Sequence, residues 1–233
     1  MPHAVPQGSL GAVYVLQRVR DLTKSLGYTA IPAVLGAATY QNWVKGIIQK
    51  ESSFRVGVQA STNNDSYSAG ILAAANKVAP SLQVQPNSPN VIATSYAWGL
   101  MQGMGAYSCS SLPPIYHLTG ISQTGLVKSG LFVPLTQNVS DLYNPAVAGL
   151  NQAIDNNLIL GLSVLQMKCE QYTTPFLAIA NYYGTTGPAG QAYYQQVANY
   201  AGLPASGITV SVSGPNQTSS PVTNLTPVTA PCS

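Results

Sequence analysis

Apolar residues recur at three- and four-residue intervals along most of this chain, and nowhere do they alternate with polar ones over a sustained run bounded by hairpin turns. Val13, Leu16, Val19, Leu22 and Leu26 predict a helix over 10–26, stopped by Gly27. A second helix is predicted from about residue 39 into the stretch "ESSF" at 51–54, and a third over "SAGILAAANKVA" at 68–79, ended by Pro80. The stretch 80–95 holds three prolines and no helical stripe, and reads as loop. The clearest periodic segment is 145–169. There Asn144 can cap the helix, Pro145 takes its first position, and Val147, Leu150, Ile154, Leu158, Leu162 and Leu165 line one face. Helices over about 173–182 and 188–201 complete the set. The expected class is mainly α.

From Pro204 the pattern stops. The last 30 residues hold five prolines, eleven serines or threonines and no charge. Such a segment buries little apolar surface, so the expected division is a domain over 1–203 and a low-complexity tail or linker over 204–233. Its isolated Val and Leu residues could still add a strand or lie along the domain. Deleting residues 206–233 is nevertheless expected to leave stability nearly unchanged.

Composition narrows the function classes. The chain is 45% hydrophobic but only 6% charged, against roughly 25% in a typical soluble protein. A net charge of +3 without a Lys/Arg run gives no electrostatic footprint for nucleic acid. The best membrane candidate, "AIPAVLGAA" at 30–38, is short and contains a proline and a glycine, so no membrane span is expected. Residues 1–10 show neither the basic nor the apolar region of a signal peptide. Cys109, Cys169 and Cys232 lack metal-ligand spacing; a Cys109–Cys169 disulfide and buried free thiols are both open readings. His3 and His117 alone make no metal site, and neither metal nor cofactor is expected.

One charge stands in an unexpected place. Glu51 is one of two glutamates, and on the second helix it follows Val44 and Ile47 or Ile48 at i+7 and i+3/i+4. It therefore shares the apolar face. A carboxyl held against apolar groups has a raised pKa, the property of a general acid working near neutral pH. The alternative is a carboxylate at a helix end that accepts hydrogen bonds from backbone amides.

"ESSF" at 51–54, "AWGLMQGM" at 97–104, "DLYNPAVAGLNQAI" at 141–154 and "ANYYGTTGP" at 180–188 occur in that order. Together they resemble the lytic transglycosylases and goose-type lysozymes, a lysozyme-like superfamily acting on peptidoglycan. The resemblance covers about residues 40–200 and implies a lysozyme-like α-helical domain. It assigns Glu51 as catalytic acid. Substrate contacts are implied for Ser53, for Gly99, Leu100, Met101 and Gln102 lining the sugar groove, and for Tyr182, Tyr183 and Tyr193. Tyr182 matches the tyrosine whose hydroxyl reaches the catalytic carboxylate, and Tyr193 the tyrosine of the late motif. Tyr183 departs from the family's usual Asn, and about residues 65–95 stand as an insertion that covers the groove or decorates the fold.

What the resemblance implies is single-carboxylate cleavage of the β-1,4 bond between MurNAc and GlcNAc, with 1,6-anhydroMurNAc as product. A hydrolase using Asp65 as second carboxylate is the alternative, although "NNDS" around Asp65 is also a common turn sequence. A glycan-binding or structural module without activity is a further one. The expected partner is a peptidoglycan glycan strand, with a secretion-system or virion partner left open, and the expected location is periplasmic, extracellular or virion-associated. Six acidic residues also predict tolerance of acid, since few carboxylates must take up protons as pH falls.

Overall fold

Three helices lead to Glu51 in the computed structural model, which describes residues 11–60, 66–82, 87–206, 208–213 and 219–221. Helix α1 spans Ala12–Ser25, α2 Ala30–Leu35 and α3 Tyr40–Ser52. Helix α3 follows the apolar spacing closely, with Val44, Ile47 and Ile48 buried, whereas in α1 the buried stripe is Val15, Val19 and Leu22, and Val13 of the expected stripe is exposed. The short α2 lies inside the apolar stretch 30–38, and Gly36 ends it at a φ of 88°. Among the described residues no helix is long and apolar enough to cross a membrane.

After α3 comes a two-residue strand, β1, Arg55–Val56. Helix α4 spans Ser66–Val78, as its pattern predicts, and buries Ser68, Ile71 and Ala75. The stretch read as loop contains a short helix, α5, Pro89–Ala93. Ser88 caps it through its side chain and Pro89 starts it, a local signal that the absence of an apolar stripe concealed. Strands β2, Ala97–Trp98, and β3, Gly103–Met104, form an antiparallel hairpin whose turn is Gly99–Gln102. Helices α6, Gly120–Lys128, and α7, Val139–Tyr143, follow.

The segment 145–169 is two helices, not one. Asn144 accepts from the Ala146 N–H and Pro145 begins α8, Pro145–Ala148, but Gly149 then breaks the path at φ 81° and ψ 149°. Helix α9, Leu150–Gln171, restarts beyond it. Val147 consequently drops out of the expected stripe and is exposed, while Ile154, Leu158, Leu162 and Leu165 are fully buried. Helix α9 runs through the centre, in contact with α1, α2, α6, α7, α8 and α10, which spans Pro175–Tyr183. Each fully buried Leu or Ile here contributes about 1.5–3 kcal/mol relative to exposure.

Helix α9 is buried on nearly every side, and its polar residues tie down neighbours. The Gln166 side-chain oxygen accepts from the N–H groups of Ala30 and Ile31 (both 3.2 Å), capping α2. Ser163 bonds the Tyr28 hydroxyl at 2.6 Å, and the Asn156 amide donates to the Leu142 carbonyl at 2.7 Å. Helix α11, Pro188–Gly202, lies along α3 and against α10. Close approach to α3 needs Gly46, where a β-carbon would sit 2.3 Å from the Val197 carbonyl oxygen. The buried Lys45 ammonium donates to the carbonyls of Ala201 (2.9 Å) and Leu203, fastening the end of α11 to α3.

The chain beyond Pro204 does not leave the domain at once. Strand β4, Ser211–Ser213, pairs in parallel with β1, and β5, Ser219–Pro221, pairs antiparallel with β4. The Ile208 carbonyl accepts from the Ala12 N–H at 3.2 Å, and Val210 is buried. The tail therefore adds a strand, the alternative left open by its isolated Val and Leu residues. Backbone pairing attaches residues 208–213, and such pairing carries no periodic apolar face to announce it, so deleting 206–233 is now expected to cost stability. Cys109 and Cys169 are buried free thiols, so the disulfide reading is set aside; Cys232 and His3 lie outside the described residues.

Candidate active site

Helix α3 ends abruptly just after Glu51. Ser53 and Phe54 both take left-handed backbone conformations, with φ of 51° and 60°. For residues with a β-carbon this costs roughly 1–2 kcal/mol each. Compensation is visible around them: Phe54 is fully buried, the Arg55 guanidinium donates to the Ser52 carbonyl at 2.9 Å, and the Ser211 N–H donates to the Phe54 carbonyl at 3.1 Å. The strand partner from the far end of the chain thus holds the turn that terminates the glutamate's helix. Ser53 itself is exposed, and Ser52 is buried with its hydroxyl on the Ile48 carbonyl.

Glu51 is half-buried on the face of α3 that carries Ile47 and Ile48. Burial raises its pKa above the usual carboxylate range; the Tyr193 hydroxyl and the Lys50 charge pull it partly back. That hydroxyl donates to Glu51 Oε1 at 2.5 Å. Tyr193 belongs to α11, and burial together with the neighbouring carboxylate pushes its own pKa well above 10, so it stays a protonated donor.

The assignment of the carboxylate-binding hydroxyl to Tyr182 is corrected by this geometry. Tyr182 lies near enough to Glu51 for the negative charge to raise its pKa, but its hydroxyl donates to the Met101 carbonyl at 2.6 Å. Tyr193 takes the role expected of Tyr182 because α11, not the end of α10, lies along α3. Tyr183, next to Tyr182, stacks its ring on Tyr193 with centroids 4.8 Å apart and planes 17° from parallel, and it is 52% exposed.

The Gly99–Gln102 turn faces this group, though not in the way expected of a groove lining. Leu100 and Met101 are fully buried, so their side chains are core and the Met101 backbone carbonyl reaches the tyrosine. Gln102 is half-buried at a φ of 50°, and its amide donates to the carbonyls of Val58 (3.1 Å) and Gly99 (2.8 Å). Gly99 sits at φ 80°, and a β-carbon there would lie 2.0 Å from Asn157 Oδ1.

Asn157 of α9 is the residue that the sequence did not announce. Its side-chain oxygen accepts from the N–H groups of Leu100 (2.9 Å) and Gly57 (3.3 Å), and its amide donates to the carbonyls of Tyr143 (3.2 Å) and Ala153 (2.7 Å). One buried side chain so joins the segment after the glutamate, the turn that faces it and the central helix.

The other acidic residues are occupied elsewhere or undescribed. Asp155 makes a two-pronged pair with Arg18 (2.9 and 2.7 Å), Asp21 pairs with Arg20, Asp141 accepts from Asn138, and Glu170 accepts from Gln166. Asp65 lies outside the described residues. Among the described residues no carboxylate contributes to the electrostatics of Glu51, and no cluster of His, Cys, Asp or Glu could hold a metal ion. Comparison of the chain with protein-family models, curated proteins and solved structures returns no match.

Proposed function

We propose that the protein cleaves peptidoglycan glycan strands as a lytic transglycosylase, with Glu51 as the single acid and base. The observation that carries this reading is a half-buried carboxyl, raised in pKa by burial, held by a tyrosine hydroxyl and without a second described carboxylate beside it. Glu51 gives its proton to the oxygen linking MurNAc to GlcNAc, and the bond from that oxygen to C1 breaks. The substrate's own N-acetyl oxygen stabilises the positive charge developing at C1. The ionised Glu51 then takes the proton of the C6 hydroxyl as that oxygen bonds to C1, closing the 1,6-anhydro ring and restoring the acid. No water is consumed, so a second carboxylate to activate one is not required.

Tyr193 has two effects in this cycle. Its hydrogen bond fixes the carboxyl's orientation, and it stabilises the ionised form between the two proton transfers. The neutral, hydroxyl-rich surroundings suit sugar: residues 96–118 and 173–202 contain no Lys, Arg, Asp or Glu. Mass spectrometry of fragments released from purified sacculi tests the reading. Products one water lighter than hydrolysis products are expected. Reducing-end products would point to a hydrolase, for which Asp65→Asn is the next variant, and no release would leave a glycan-binding module.

A further inference from the structure

Helix α4 belongs to the segment that separates "ESSF" from "GLMQ", and its outward residues serve no part of the chemistry above. Its core face is settled: Ser68, Ile71 and Ala75 are buried. Tyr67, in its first turn, is 45% exposed, and its hydroxyl donates to that of Tyr107 at 3.4 Å. Tyr116 meets Tyr67 edge to face with centroids 6.2 Å apart, and its hydroxyl lies over Gly70, 3.5 Å from where a β-carbon would stand. Tyr107 connects this pair to the centre, since it lies close enough to Tyr182 to act on that hydroxyl's charge state. Tyrosines therefore follow one another from Glu51 and Tyr193 through Tyr182 and Tyr107 to Tyr67 and Tyr116.

We infer that Tyr67 and Tyr116 form a remote sugar-binding wall, supplied by α4 and the 114–116 turn, which holds a glycan chain beyond the unit adjacent to the cleaved bond. The inference rests on the proposed reading of Glu51 for the identity of the chain. Its own support is different: an exposed Tyr67 with a half-buried Tyr116 against it, both continuous with the candidate site, Tyr67 standing on a helix anchored by its opposite side. Charge favours a neutral carbohydrate over a polyanion, because α4 carries Lys77 alone near its far end and 96–118 has no charged residue. The face of a tyrosine ring suits the apolar C–H face of a pyranose, and its hydroxyl suits the sugar's edge.

The test is a titration of the full-length Glu51→Gln protein with N-acetylglucosamine trimer and hexamer, followed by calorimetry. Tighter binding of hexamer than trimer is expected. Tyr67→Ala in that background should lower hexamer affinity about five- to tenfold, and Tyr67→Phe, which keeps the ring, should retain most of it. Tyr116→Leu should reproduce the loss if Tyr67→Ala proves unfolded by circular dichroism. Equal affinity for the two oligomers, or a hexamer affinity untouched by both substitutions in folded protein, overturns the wall. Sacculus digestion by the unmodified protein separates this from the enzymatic reading: absence of cleavage removes the latter while a length-dependent, Tyr67-dependent affinity keeps the former.

Discussion

The Tyr193 hydroxyl donates a 2.5 Å hydrogen bond to Glu51 Oε1, joining α11 to the last turn of α3 at the point where the chain carries its half-buried acid. This bond lowers the Glu51 pKa against the larger upward push of burial. Tyr193→Phe removes it, so the carboxyl should hold its proton to higher pH. Activity that needs protonated Glu51 should then persist further into the alkaline range, with a lower maximum because the carboxyl is less well oriented. Tyr182→Phe should leave that alkaline limb in place and act through stability, since it strips the Met101 carbonyl of a partner at a cost of about 1–3 kcal/mol. A pH–rate profile for both variants checks that Tyr193 rather than Tyr182 holds the carboxyl; a shifted limb in Tyr182→Phe alone would reverse this.

On the proposed reading of Glu51 as acid and base, Glu51→Gln should abolish cleavage, since loss of a general acid alone costs about 10²–10⁴-fold. A folded variant retaining a tenth of the turnover would rule the assignment out. Stability gives an independent check. Burial raises the folded-state pKa of Glu51 above its unfolded value, so the folded state binds this proton more tightly. That contribution is complete below the unfolded pKa and is lost as pH rises through the folded one. Glu51→Gln should therefore melt above the parent at neutral pH, and the difference should vanish towards pH 4. With six acidic residues in the chain, the parent itself should lose little melting temperature down to about pH 3, below the unperturbed carboxylate values. Unfolding by pH 4 would contradict this.

Ending the chain after Ser206 should destabilise it by at least about 2 kcal/mol, since the change exposes the site of Val210 and removes β4. Activity should fall as well, because the Ser211–Phe54 hydrogen bond holds the turn behind Glu51. Ending it after Pro221 removes none of these contacts and serves as the control. Equal melting temperatures for both truncations would show that β4 contributes nothing.

Asn157→Ala should be among the most damaging single changes outside the tyrosines. It leaves the N–H groups of Leu100 and Gly57 and the carbonyl of Tyr143 without the partner they have, and each buried orphan costs about 1–3 kcal/mol. Thermal melts should show the loss, and hydrogen exchange should show it concentrated in the 97–104 hairpin. A loss confined to α9 would mean that the hairpin is held by other contacts.

The helices with a local signature were legible in the amino-acid order: α1, α3 and α4 from their three- and four-residue spacing, and the start of α8 from Asn144–Pro145. The place of Glu51 on an apolar face was legible for the same reason, because the period of a helix decides which residues share a side. Spacing did not reveal the break at Gly149, since an apolar stripe can be written across a glycine whether or not the backbone follows it. Nor could it choose between Tyr182 and Tyr193. Both stand on helices near the end of the domain, and the choice was made by α11 packing along α3, through Gly46 and Lys45. Asn157 looks like any polar residue among the asparagines of 151–157; only burial against the hairpin turns it into a clasp. Strand β4 finds its partner 156 positions earlier, Ser211 on Arg55 and Val212 on Val56, through backbone groups that every residue carries. Local order along the chain encodes which faces are apolar, whereas these contacts arise when distant backbone and polar groups are buried together and must satisfy one another.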